Sequence, residues 1–408
     1  MKLSRVKWLA IGCSARAWHA SVLRPSSAAL FTWGCSRTNL QAKYHYCVGS
    51  SRGSPTGVAG TRLDTAPHGW PKVSGQDEKQ RRGETRAMKI IYDELFLKHR
   101  PPPGHPHPEC PARVSTARAE LNGLEGIEWA MPSSLRSEEA RARTLAAIER
   151  AHKPEYLDEV QRVCARGGGA ADFDTYICPD SFEVCVAASS AWMDAAESAC
   201  AGLPAFALAR PPGHHATAGV GMEGFCLVCF ACVAAFHALD TLGCGRVAML
   251  DFDVHHGNGV AALTKGEGRI RYCSIHQGGI FPGSGAAEDV GPPGNLKHLP
   301  FFGLGETWET YEPRFEEALK WLQDFQPDLV IVSAGYDALE ADELATASLQ
   351  PEDYGRMGKR LKETFGGKVA FGLEGGYNLQ ARERGMKKMG IEIPREMHTT
   401  EADMMRYK

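Results

Sequence analysis

The stretch Val247-Ala248-Met249-Leu250-Asp251-Phe252-Asp253-Val254-His255-His256-Gly257-Asn258-Gly259 decides how this chain folds. Its first four residues are apolar, follow Gly245 and read as a buried strand, and polar residues begin where that strand ends. Asp253 and His255 are two apart, so on an extended backbone both point the same way and supply half of a metal site. Outward from this stretch lie three more polar loops: Ala209-Arg210-Pro211-Pro212-Gly213-His214-His215, Ser333-Ala334-Gly335-Tyr336-Asp337 after Leu329-Val330-Ile331-Val332, and Glu374-Gly375-Gly376-Tyr377 after Val369-Ala370-Phe371-Gly372-Leu373. Lys89-Ile90-Ile91-Tyr92 and Arg269 to Ile275 read as two further strands. Helical stripes lie between strands: Phe315, Leu319, Leu322 and Phe325, stopped by Gln326-Pro327, and Met357, Leu361 and Phe365, stopped by Gly366-Gly367. Strands this apolar, interleaved with helices, predict an α/β fold: a single domain with a mostly parallel sheet covered by helices on both faces. Ligands bind beyond the carboxyl ends of such strands, so the four loops are expected to converge there.

The residue types in those loops suit hydrolysis of an amide. Asp253, His255 and Asp337 make a three-ligand set that leaves a position open for water, the catalytic rather than structural arrangement. Ligand type alone leaves both Zn²⁺ and Fe²⁺ open. His214 and His215 supply imidazoles for proton transfer, with Asp251 and Asn258 as their orienting partners. A carboxylate partner keeps its imidazole charged and an amide does not, so the two histidines should differ in pKa. Tyr377, after two glycines, is a candidate hydrogen-bond donor to a developing oxyanion.

Other patterns carry less. Gly219-x-Gly221-x-x-Gly224 has dinucleotide-loop spacing but follows no strand. Cys226, Cys229 and Cys232, spaced by threes among apolar residues, read as one face of a buried helix. His105 and His107 read as shaping a loop near the site, and His237 as a packed or surface residue.

Composition sets the outer limits. The chain has 408 residues, 43% hydrophobic and 23% charged, with a net charge of −3. Residues 1–63 hold nine Lys or Arg and no Asp or Glu, so the remainder carries a net −12. That acidic body argues against nucleic acid as a direct ligand. No apolar run reaches the length of a membrane span. Thirteen scattered cysteines are too sparse for a disulfide framework. Residues 1–63 have the composition of a plastid or mitochondrial transit segment, or else of an untranslated leader joined ahead of a true start at Met88. Residues 64–87 read as a disordered linker, and 88–408 as the catalytic domain.

From residue 88 to about 378 the chain resembles the metal-dependent histone deacetylases and acetylpolyamine amidohydrolases of the arginase/deacetylase fold. The segments that carry the likeness are Gly104-His105-Pro106-His107-Pro108-Glu109, Arg210 to His215, Gly224-Phe225-Cys226, Asp251 to Gly259, Phe281-Pro282-Gly283-Ser284-Gly285, Ser333 to Asp337 and Glu374 to Tyr377. The resemblance implies Zn²⁺ on Asp253, His255 and Asp337, His215 as general base and acid, His214 as electrostatic helper and Tyr377 polarising the carbonyl. It implies structural K⁺ near Asp251, Asp253, His255 and Ser274. It also implies a tunnel at Gly224, walled by Phe225 and Phe281, for an acylated alkyl-amine arm. Asn258, where many relatives have a carboxylate, is similar to the class II branch. Polyamine-selective relatives place an acid seven residues after the third ligand. Here that residue is Leu344, so acetyl-lysine in proteins or peptides is the expected substrate and acetylpolyamine the alternative.

Two other classes fit the residues less well. A catalytically idle acetyl-lysine-binding scaffold has no reason to keep every proposed ligand and proton carrier. A dimanganese ureohydrolase needs further strand-end carboxylates that His256-Gly257-Asn258 and Ala338-Leu339 do not provide. The chain departs from its relatives at Cys229 and Phe230, where paired asparagines are usual, and after Asn378, where the Met-, Lys- and Glu-rich end does not read as a closing apolar helix.

Overall fold

The computed structural model describes residues 88–392 apart from Val220. The expected leader 1–63, the linker 64–87 and the tail beyond 392 lie outside the described residues. Ten strands are present among the described residues: β1 (Met88–Ile91), β2 (Ile127–Ala130), β3 (Gly169–Ala170), β4 (Tyr176–Ile177), β5 (Ala205–Ala207), β6 (Val247–Asp251), β7 (Ile270–Gln277), β8 (Leu296–Phe301), β9 (Leu329–Ala334) and β10 (Val369–Leu373). Eight of them form one sheet in the order β2-β1-β5-β10-β9-β6-β7-β8, and every pairing in it is parallel. β3 and β4 make a small antiparallel ribbon.

Every residue of β6, β9 and β10 is buried. Successive side chains of a strand point to opposite faces, so both faces of the sheet are covered, as the unbroken apolar runs predicted. Helices Ser181–Cys200 and Phe230–Asp240 pack on each other and on the central strands; Trp308–Gln323, Pro351–Phe365 and Leu379–Glu392 form a second packed group. β5 has three residues and no β-branched side chain, so no periodicity announces it. β8 contains Pro300, tolerated because this strand lies at the sheet edge.

Three expectations need correction. Helix Phe230–Asp240 starts after Cys226 and Cys229, so only Cys232 of the three cysteines is helical. Gly224 and Phe225, both with positive φ, hold this segment in a loop before the helix begins, although all three thiols are buried. Phe325 lies beyond the helix that carries Phe315, Leu319 and Leu322, which ends at Gln323. The segment after Asn378 does close the fold with a helix, Leu379–Glu392, which packs on Pro351–Phe365 and Ala112–Leu121. Its buried face is Ala381, Met386, Met389 and a buried arginine, Arg382, too polar a stripe to read as core.

One contact in the core yields a prediction. A Cβ at Gly372 would sit 2.0 Å from the ring of Trp192, which is itself fully buried. Gly372→Ala should therefore lower stability by about 3 kcal/mol, the upper end of overpacking costs. An unchanged urea midpoint would show that the indole has room to move.

Candidate active site

The carboxyl ends of β5, β10, β9 and β6 are neighbours in the sheet, so loops from residues 208, 252, 335 and 374 onward meet at one edge. Sequence distance vanishes there. Asp253, His255 and Asp337 come together, each offering a ligand atom within 4.8 Å of the others. His255 Nδ1 lies 3.2 Å from Asp253 Oδ1 and 3.1 Å from Asp337 Oδ2. Backbone donors hold the carboxylates: Gly375 N donates to Asp253 Oδ2 (2.7 Å) and Val254 N to Asp337 Oδ1 (3.0 Å). Glycine is required at that approach, since a Cβ on Gly375 would fall 2.1 Å from Asp337 Oδ2.

The electrostatics of the cluster suit a cation. Burial and the neighbouring Asp253 push the Asp337 carboxyl up to about 7. Burial also works to raise Asp253, but the charges of His214 and His255 hold it below the usual carboxylate range. His255 is raised to about 10, its burial outweighed by hydrogen bonds to the two carboxylates. Protons and imidazolium thus neutralise a desolvated pair of acids that one divalent ion would neutralise instead. Two carboxylates and one imidazole are a donor set that would hold such an ion.

The twin histidines stand beside it, ring centroids 4.0 Å apart. His214 Nδ1 is 3.1 Å from Asp251 Oδ2, which also accepts from the Tyr272 hydroxyl (2.9 Å). His215 Nδ1 is 2.8 Å from Asn258 Oδ1. Burial favours the neutral form of both. For His214 the carboxylates of Asp253, Asp251 and Glu374 win and raise its pKa well above that of free imidazole. For His215 the charges of His214 and His255 add to burial and lower it well below.

Beyond these groups lies a cavity of about 200 Å³ lined by Asp174, His215, Gly224, Phe225, His255, Phe281, Leu344 and Tyr377. The four tunnel residues named from the sequence all line it, with Phe281 and Leu344 partly exposed at the mouth. Gly224 packs so closely that a Cβ would meet His215 Cδ2 at 2.4 Å. Tyr377 lies edge-on to Phe225, ring centroids 5.5 Å apart, and burial raises its hydroxyl pKa well above 10. His107 supports Phe225 from behind at 4.9 Å, whereas His105 is exposed and His237 is buried on Glu197 (3.0 Å).

Several residues shape the site through roles that the sequence does not announce. Glu374 Oε2 accepts from Gly213 N (2.6 Å) and His214 N (3.1 Å) and so fixes the twin-histidine turn. Asp342 Oδ2 accepts from Tyr377 N (2.6 Å) and Asn378 N (2.9 Å). Arg113 donates to the carbonyls of Glu374 and Gly376 and lies over the Tyr377 ring at 4.7 Å. Each acts on backbone, which a side-chain motif does not advertise.

Comparison with known proteins agrees with this geometry. Residues 107–391 match the histone deacetylase domain. An uncharacterized protein of Synechocystis sp. is 43% identical over 72% of this chain and 94% of its own length. Histone deacetylase 14, chloroplastic, of Arabidopsis thaliana is 34% identical over 67% of this chain and 70% of its own length. The crystal structure of the HDA15 HD domain superposes with a TM-score of 0.69 at 30% identity, covering 78% of this chain and 90% of that one. The chain belongs to the histone deacetylase family of amidohydrolases.

Proposed function

We propose that this protein is a Zn²⁺-dependent deacylase that hydrolyses the amide of N-acetyl-lysine in proteins or peptides and releases acetate. The carrying observation is the narrow cavity that has His215, His255 and Tyr377 in its wall and the Asp253–His255–Asp337 cluster beside them. A divalent ion bound by these three residues would polarise the substrate carbonyl and acidify a water. His215, neutral at physiological pH, takes the water's proton at Nε2 and returns one to the leaving amine. His214, held charged by the carboxylates of Asp253, Asp251 and Glu374 and hydrogen-bonded to Asp251, stabilises negative charge nearby. Tyr377 keeps its proton and donates a hydrogen bond to the developing oxyanion. Phe225 and Phe281 enclose the lysine methylenes, each worth about 0.8 kcal/mol on burial.

Apolar Leu344 at the mouth supports a protein substrate over a polyamine. Asp342 in that loop is buried and accepts from the backbone N–H groups of Leu344, Tyr377 and Asn378, whereas Glu343, next to Leu344, is exposed at the rim and favours a polyamine. Asp174, which also lines the cavity, likewise favours acetylpolyamine. Structural K⁺ near Asp251 and Ser274 and an acetylated protein partner, without direct nucleic-acid or membrane contact, belong to the same reading. An organelle location is supported by the acid-free first 63 residues and by the chloroplastic relative.

Chelation should abolish turnover of an acetyl-lysine peptide, and stoichiometric Zn²⁺ should restore it. Full activity in protein stripped of metal would defeat the reading. Faster turnover of N-acetylputrescine would replace the substrate.

A further inference from the structure

Asn258 has a second partner that the proposed mechanism leaves unused. Its Nδ2 donates to Glu223 Oε1 at 2.7 Å, while its Oδ1 faces His215 Nδ1 at 2.8 Å. Glu223 sits in the loop that leads into Gly224 and Phe225, half-buried, on the wall of a separate cavity of about 500 Å³. Three groups therefore stand in line: carboxylate, amide, imidazole.

An amide has one donating and one accepting end, and by itself Asn258 could present either to His215. An ionised carboxylate only accepts. Glu223 therefore binds the amide NH₂, and the amide oxygen must turn to the histidine. That oxygen needs a donor, so His215 carries its hydrogen on Nδ1 and leaves the Nε2 lone pair free. We infer that Glu223 is a positioning residue that sets the tautomer of the proposed base His215 through the orientation of the Asn258 amide. The inference rests on the deacylase reading for its kinetic consequence but not for its structural one. No proton moves along the relay; its donors and acceptors are fixed by the acceptor-only end. With Glu223 gone, the amide is free to turn its NH₂ towards Nδ1. The Nε2–H tautomer, which cannot take a proton from water at that atom, then gains population.

The test uses the full chain loaded with Zn²⁺ and four variants: Glu223→Ala, Glu223→Gln, Asn258→Ala and the Glu223→Ala/Asn258→Ala pair. With an acetyl-lysine peptide, Glu223→Ala should lower kcat by about tenfold, the low end for loss of an orienting partner, with KM within about twofold. Glu223→Gln keeps an accepting oxygen and should fall between wild type and Glu223→Ala. In the Asn258→Ala background the Glu223→Ala change should add nothing, because the link is already cut. ¹⁵N-histidine spectra should show His215 as the Nδ1–H tautomer in wild type and as a mixture in Glu223→Ala. The inference is overturned if Glu223→Ala keeps wild-type kcat, if its loss multiplies that of Asn258→Ala, or if the variant holds a single Nδ1–H tautomer. Should wild-type protein not hydrolyse the peptide, the deacylase reading fails, and the spectra alone decide the role of Glu223.

Discussion

Replacing His215 with alanine lowers kcat for an acetyl-lysine peptide by about 10²–10⁴-fold, the usual contribution of a positioned general base. The melting temperature changes little, because the imidazole borders a cavity and its partner Asn258 remains bonded to Glu223. If the proposed ion binds, its content should be the same in wild type and variant, since Asp253, His255 and Asp337 are untouched. His214→Ala differs: it strips Asp251, a fully buried carboxylate, of its imidazole and leaves only the Tyr272 hydroxyl and the Asp253 N–H as donors, so stability falls with activity. The pH profile separates the two imidazoles. His215 is depressed by burial and by the charges of His214 and His255; a cation bound in place of the His255 proton would push the same way. It therefore stays unprotonated as pH falls through 6.5, where free imidazole is half charged. The acidic limb of kcat/KM in wild type lies below 6.5. A limb at or above that value, or full activity in His215→Ala, would remove His215 from the role.

The sequence showed the site more clearly than the sheet around it. Asp253, His255, Asp337, His214, His215, Asp251 and Asn258 stood out because carboxylates and imidazoles crowd the end of an apolar run, which surface chemistry rarely produces. β6, β9 and β10 were legible for the related reason that strands buried on both faces are apolar without a break. β5 and β8 were not: the first is Ala205-Phe206-Ala207, the second mixes Lys297, His298 and Pro300 with Leu and Phe at an edge. Pairing order is a tertiary property, and the placing of β10 between β5 and β9 is written in no local pattern. The supporting carboxylates escaped for another reason. Glu374, Asp342 and Glu223 work by accepting from backbone or amide N–H groups whose positions exist only in the folded chain. The closing helix was misread because buried Arg382 interrupts its apolar face.

Glu109→Leu should destabilise the protein by about 3–5 kcal/mol, the cost of stranding a buried charge by removing its partner. Glu109 is fully buried, as are Arg113 and Arg210. Its Oε1 accepts from Arg210 Nε (2.8 Å) and Arg113 Nη1 (3.4 Å), and its Oε2 from Arg210 Nη2 and the Tyr176 hydroxyl (2.7 Å). Arg210 begins the turn that carries His214 and His215, and Arg113 holds the carbonyls that precede Tyr377. One carboxylate thus anchors two of the four loops, so the variant loses activity as well as stability. Exposed pairs give the contrast: Arg150 with Asp240, at 3.1 Å, is worth no more than about 1 kcal/mol. The pH dependence follows from the sign of the shift. Burial works to raise the Glu109 pKa, but Arg210, His99 and Arg113 outweigh it and hold the carboxyl well below its ordinary 4.5. Its contribution is therefore complete above 4.5 and fades as pH falls below that value, so wild type and variant converge in acid. Glu109→Leu combined with Arg210→Met removes one of the two stranded guanidiniums and should recover part of the loss. Urea unfolding of both variants at pH 7 and pH 4 measures this. A single-variant loss under about 1 kcal/mol, or one that does not shrink in acid, would mean that the two guanidiniums find water rather than depend on Glu109.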